Sequence, residues 1–378
     1  MKNTDILFPE QLLDGTKMIG GKILSASDKA VFDALSQKNV TNLELRELFL
    51  SRGILVSKDT SRKQLALHFS RLPHDYFDYQ KLASIFSSPN QREKMTSTRV
   101  KTEIPMSTFE SSAHELKADL EKSGAAIRVF SAKGSRLDIE VKYQKLNFNK
   151  SEFRQVVNRV ATISIQKDGE EFTIHSPHND DAREWIQKLI RIVSEKSGEN
   201  LSLDDIRLPP GFVAKEKSDF FNRLIKSMPG YRVHDVSDVY IANPRIEAEE
   251  DDNDTIVEVH ITKASLKGQG VLLSDELKTL EKKGFYISKM IWASRTIETD
   301  SDLYEFEAQF SSPEDCSGFT YLPRGFYKHQ DSGSFGTSRN NFTTNEEQRL
   351  GRLIEKTARE TLYAMIGEQN AQIEVAMP

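Results

Sequence analysis

The chain is short of the residues that announce chemistry. It has one cysteine, Cys316, which excludes intrachain disulfides and multi-cysteine zinc sites and fits a reducing cytosol. No apolar run approaches a membrane span, and the opening MKNTDILFPEQ has no signal core. The expectation is a soluble, cytoplasmic protein without membrane contact. Nor is there an excess of positive charge. At a net charge of −5 the chain is no bulk coater of nucleic acid, so any such binding has to be local. Rossmann and GxSxG signatures are missing. Lys267-Gly268-Gln269-Gly270 lacks the glycine spacing and terminal Lys-Ser/Thr of a P-loop. His114-Glu115 opens like a zinc-protease helix, but Ala118 stands where the second histidine belongs. No cofactor and no metal are expected.

What is present suits a globular chain. Residues are 37 % hydrophobic and 29 % charged, and 378 of them suffice for two or three domains. The most legible stretch is 41–72. Thr41 followed by Glu44 fits a capping box, and Leu45, Leu48 and Phe49 fall on one helical face. Gly53 suits a helix stop. Ile54–Val56 reads as extended and Ser57–Asp59 as polar loop. Thr60 or Ser61 caps a second helix with Leu65, Phe69 and Leu72 as its buried stripe, and Pro73 ends it.

The run of Leu45, Arg46, Leu48, Phe49, Gly53-Ile54, a basic loop and Lys63-Gln64-Leu65 resembles the SAP-like, helix-extended-loop-helix modules. The resemblance covers residues 41–72 alone. It implies DNA binding through the loop and the second helix start, which nominates Lys58, Ser61, Arg62 and Lys63. Where the family has a glycine before the loop lysine, this chain carries Ser57-Lys58-Asp59-Thr60. Within 41–72 six Lys/Arg face three Asp/Glu, and a basic helix N-terminus can hold phosphate. The bland alternative is a small helical module with solvated charges, or one that grips protein.

Around this stretch, 1–88 reads as a helical module, with helices over 28–38 and 73–86. Residues 89–105 read as a polar linker whose basic residues extend the positive character. Residues 106–200 read as an α+β module: a helix over 111–123, strands over 127–131 and 137–143 about a Lys133-Gly134 turn, and a hairpin about Asp168-Gly169. A helix capped by Asp180 or Asp181 follows, burying Trp185, Leu189, Ile192 and Val193. Residues 201–378 read as a second α+β module. It has a helix over 218–227, a strand pair at 231–233 and 239–241, an acidic loop at 247–254 and a strand over 255–263. A helix over 275–283 and strands over 285–292 and 303–310 come next. An aromatic, glycine-rich loop spans 311–342, and a C-terminal helix from Thr344 is capped by Thr343 or Thr344. The two modules echo each other as helix, glycine stop and strand pair.

Other constellations are weaker. Asp138-Ile139-Glu140-Val141-Lys142 puts Asp138, Glu140 and Lys142 on one strand face, as a Mg²⁺-dependent nuclease would, and as any half-exposed strand does. His175 and His178 read as a surface pair, and Cys316 as a buried hydrophobe rather than a nucleophile partnered by His329. The acidic run lacks the spacing and glycine of a calcium loop. Asp331–Gly336 reads as a flexible loop or lid.

The reading is an α+β multidomain protein: a helical N-terminal module, one or two α+β modules and a C-terminal helix. The expected function is a non-catalytic DNA-binding accessory or adaptor. Its α+β body would dock a protein partner or a second copy. The alternatives are a nuclease on the Asp138 strand or a pure protein adaptor.

Overall fold

The computed structural model describes residues 26–376, apart from 38–39, 88–91, 133–134, 148, 150–151, 244–261, 299 and 331–332. The Lys133-Gly134 turn, the acidic run, most of the 255–263 strand and Asp331-Ser332 lie outside the described residues. The fold is α+β. It divides into two units that interleave along the chain: 1–92 with 109–131 and 137–162, and 93–108 with 132–136 and 163–378.

The first unit opens with four helices, α1 (Asp28–Leu35), α2 (Asn42–Leu50), α3 (Arg62–Ser70) and α4 (Tyr76–Ser87). Ser27 caps α1, and Thr41 with Glu44 closes a capping box on α2. Their apolar stripes meet in one core of Val31, Leu35, Leu45, Leu48, Phe49, Leu65, Phe69, Tyr79 and Leu82, joined by Phe153. Arg52 braces it. Its guanidinium donates to the Pro73 carbonyl at 2.7 Å and to His74 Nδ1 at 3.2 Å, pairs with Asp78, and lies 5.3 Å from the Phe69 ring centroid. Since Arg52 only donates, His74 Nδ1 accepts, and its Nε2–H faces the Phe69 carbonyl at 3.1 Å. Burial and Arg52 hold this imidazole below its usual range, in the neutral form. Most of α5 (Met106–Lys122), β2 (Ala126–Ala132) and most of β3 (Arg136–Leu146) belong here as well.

The second unit is built on antiparallel strands. The expected linker contains β1 (Met95–Lys101), a correction to 89–105. One edge of β1 pairs with β5 (Glu171–Pro177), Ser97 opposite His175 and Arg99 opposite Thr173. Its other edge meets β11 (Ser317–Tyr327) at Met95–Tyr321 and the short β6 (Asp204–Asp205) at Thr98–Asp205. Beyond β5 lies the end of β4 (Val156–Asp168), joined to it through Asp168-Gly169, with Gly169 at φ +63°. From β11 the order continues through β10 (Leu303–Ser312), β9 (Tyr286–Thr296), β7 (Tyr231–Ala242) and β8 (Lys263–Lys267).

Two more readings are corrected here. The supposed loop 311–342 supplies β11, and the two short strands at 231–233 and 239–241 are one strand, β7, bent by register shifts. Pro323 lies in β11 where the register shifts opposite Glu305 and Phe306, a bulge that tolerates a residue lacking an N–H.

Helices α7 (Ala214–Lys226) and α9 (Thr344–Ala376) join the core of the strands through Phe220, Phe221, Trp292, Phe306, Phe319, Ile354 and Leu362. Thr343 caps α9, exchanging hydrogen bonds with Glu346. The remaining helices are α6 (Asp180–Ser197) and α8 (Asp275–Lys282). Asn179, not Asp180 or Asp181, caps α6, its Oδ1 accepting from Ala182 N–H at 2.8 Å. The aspartates occupy the first turn, where they favour the helix dipole. On α6 the buried stripe holds Ile186 and Ile190, while Ile192 is half-buried.

Candidate nucleic-acid interface

The geometry of 41–72 begins at Gly53. With φ at +71° it closes α2: Gly53 N–H reaches the Leu50 carbonyl at 2.9 Å and Ile54 N–H the Phe49 carbonyl at 3.0 Å. The chain then loops to α3. There Ser61 is the cap, accepting from Gln64 N–H while Gln64 Oε1 accepts from Ser61 N–H at 3.2 Å. What shapes the loop is Arg46. Its guanidinium donates to the carbonyls of Ser57 at 2.7 Å and Lys58 at 2.8 Å, with those of Val56 and Thr60 at 3.4 Å. Four carbonyl dipoles thus turn toward one guanidinium.

This sorts the four nominated residues. Lys58 and Lys63 are exposed and flank the start of α3. Arg62 is half-buried and engaged within the fold. The Ser61 hydroxyl is committed to its capping box. The first turn of α3 holds Arg62 and Lys63 and no acidic residue. Cations there oppose the helix dipole and favour an anion beside the terminus. On the same module Leu43, Leu50 and Leu55 are 67 %, 60 % and 87 % exposed.

The remaining candidates do not assemble a reacting centre. On β3, Leu137, Ile139 and Val141 are buried while Asp138 and Glu140 are half-buried, the expected alternation. Lys142 Nζ lies 3.7 Å from Glu140 Oε1. Among the described residues no group of three or more His, Cys, Asp or Glu is placed to hold a metal. The histidine pair is corrected. His175 is buried, with Nδ1 3.0 Å from Tyr321 Oη, and burial pulls its pKa down to about 4. His178 opens α6 from a different environment. Cys316 is buried, which pushes its thiol up, and its Sγ faces the Pro313 carbonyl. His329 is held through its N–H by Asp302 Oδ1.

Sequence reasoning missed two features. Arg46 was legible as part of a motif, yet nothing local marks it as the anchor of a loop ten residues on. The second is a buried ionic cluster on α9. Arg359, 1 % exposed, donates from Nε to Glu355 Oε1 at 2.9 Å and from Nη1 to Asp204 Oδ2 at 3.0 Å. Arg99 Nε stands 3.8 Å from Glu355 Oε1, and Arg99 Nη1 donates to Glu171 at 3.0 Å. The i, i+4 spacing of Glu355 and Arg359, beside Ile354 and Ala358, was the available signal. No family model matches the chain and no curated protein matches it.

Proposed function

We propose that this protein is a non-catalytic accessory protein whose α2–loop–α3 module contacts the phosphate backbone of DNA. One observation carries the reading: α3 opens on Arg62 and Lys63 without an acidic residue, beside exposed Lys58. Such a terminus offers backbone N–H groups and positive charge to an anion. The test is binding of labelled duplex DNA across a salt series, for the parent chain and the Lys58→Glu/Lys63→Glu variant. The expected result is salt-sensitive binding without cleavage in Mg²⁺, and a log–log salt slope shallower by about 2 in the variant. Absence of binding at low salt, or an unchanged slope, overturns the reading.

A second reading follows from Leu43, Leu50 and Leu55. Three exposed leucines on so small a module suit contact with protein. Here the module would mediate self-association. Sedimentation velocity then finds concentration-dependent dimers, lost in a Leu43→Ser/Leu50→Ser/Leu55→Ser variant whose DNA affinity is unchanged.

A further inference from the structure

The strands β7, β9, β10 and β11 of the second unit have two unlike faces. Met290, Trp292, Phe306 and Ala308 point to one of them, where α7 and α9 join the core. Alternation along β9 and β10 sends Lys289, Glu307 and Gln309 to the other. The register carries the same face onto β7, where Tyr240 stands opposite Lys289 and Asp238 opposite Ile291.

Glu307 is the centre of this second face. Lys94 Nζ lies 2.7 Å and Lys289 Nζ 2.9 Å from its Oε1, and Arg324 Nε 3.7 Å from its Oε2. Arg324 also reaches Glu305 at 3.3 Å, and Arg339 pairs with that carboxylate too. Four cations therefore share two carboxylates, and the cluster keeps an excess of two positive charges. Its neighbours balance. Asp238 is matched by Lys267 at 3.4 Å. Asp235, which accepts from the Gly270 N–H, is offset by Arg295 on the Phe335 ring. Burial alone would push the Glu307 carboxyl up, but the two lysines override it and hold the group below the usual carboxylate range. The excess is thus counted with Glu307 already ionised.

The arrangement is layered. The side chains of Lys94, Lys289 and Arg324 keep 29 %, 20 % and 26 % of their surface in solvent, and that of Glu307 beneath them keeps 7 %. Lys94 is fixed further by donating to Gln309 Oε1 at 2.6 Å, and Lys289 lies 4.6 Å from the Tyr240 ring centroid. Cations held in place by a buried acid lose little freedom when an anion arrives, which lowers the cost of binding. An anion with one charge would satisfy one of them; a phosphodiester chain satisfies several. A sheet face offers no helix to enter a duplex groove, whereas cations beside an aromatic ring suit a single strand laid across it. We propose that this face of β7, β9, β10 and β11 binds the phosphates of single-stranded nucleic acid. The surface belongs to the second unit and does not depend on the α3 module.

The test is fluorescence anisotropy of a labelled oligothymidylate across a salt series, with all chains carrying Lys58→Glu/Lys63→Glu so that the α3 module is silenced. That chain is expected to bind at low salt. Adding Lys94→Gln/Lys289→Gln should weaken binding at least tenfold and make the log–log salt slope shallower by about 1.4, since each lost phosphate contact on a single strand removes about 0.7. Glu307→Gln keeps every cation and deletes a negative charge, so it should bind severalfold more tightly; circular dichroism confirms the fold of each chain. Absence of binding by the Lys58→Glu/Lys63→Glu chain overturns the proposal and leaves the α3 reading to its own duplex test. So do an unchanged slope in a folded lysine variant and a Glu307→Gln chain that binds no better. Duplex bound as tightly as the single strand at equal salt overturns the choice of occupant.

Discussion

Arg46 and Arg359 each tie together segments far apart in sequence, but with different partners. Arg46, half-buried, donates to the neutral carbonyls of the 56–60 loop. Arg359, fully buried, faces the carboxylates of Glu355 and Asp204. Carbonyls at an exposed loop can turn to water when their arginine is removed. A carboxylate held at 4 % exposure cannot, so the same side chain is a local clasp in one unit and the counter-charge of a buried carboxylate in the other.

The largest effect is therefore expected at the buried pair. Arg359→Met leaves Glu355 without its main counter-charge, with Arg99 3.8 Å away, and should lower unfolding free energy by about 3–5 kcal/mol. The Glu355→Leu/Arg359→Met double variant, with the charge gone, should recover most of that in urea denaturation. A single variant within 1 kcal/mol of the parent, by the typical scale for ordinary surface pairs, would dissolve the contrast.

Next comes pH. His175 shares the pocket of Tyr321, Glu355 and the cluster arginines, and burial holds it at about 4. Its folded-state pKa lies below the ordinary value of 6.5, so protonation favours the unfolded chain. The stabilisation is present above 6.5 and is lost as pH falls from there toward 4, by on the order of 3 kcal/mol. His74 in the first unit is lowered as well, chiefly by burial. Denaturation midpoints measured for His175→Asn and the parent should therefore diverge above pH 6 and converge toward pH 4, with a residual slope from His74. Parallel curves would place the histidine outside the linkage.

Smaller effects belong to the first unit. Arg46→Gln should cost about 1–2 kcal/mol, with faster amide exchange confined to 56–60 and weaker DNA binding. Exchange that spreads through α1–α4 would make Arg46 a second Arg359. The smallest change is Lys63→Glu, which places an acid at the start of α3. It should raise thermal stability slightly, on the order of 0.5 kcal/mol at low salt, while weakening DNA binding. A residue that is better for binding than for its helix is what a phosphate contact requires; loss of stability would argue that Lys63 is structural.

Much of the first unit was readable because its signals are local. A capping box spans three residues, a Schellman closure needs one glycine, and a buried helical stripe repeats within two turns. The hairpin at Asp168-Gly169 was legible for the same reason. The strands β1 and β11 were not. MTSTRVK has no apolar alternation, since its buried positions include Ser97 and Thr98 and its Arg99 pairs with Glu171. β11 carries Gly318, Pro323 and Gly325, the punctuation of a loop, and becomes a strand through its neighbours β10 and β1.

The candidate sites divide the same way. By itself, the sequence determined the α3 start and its basic residues, because helix caps and charges are written at fixed short spacing. Only the tertiary structure decided that Arg46 would shape the loop and that Glu355 and Arg359 would meet Asp204 and Arg99. Those contacts join residues tens to hundreds of positions apart, and strand pairing helps to set them; a one-residue slip of β1 would carry Arg99 away from Glu171 and Glu355.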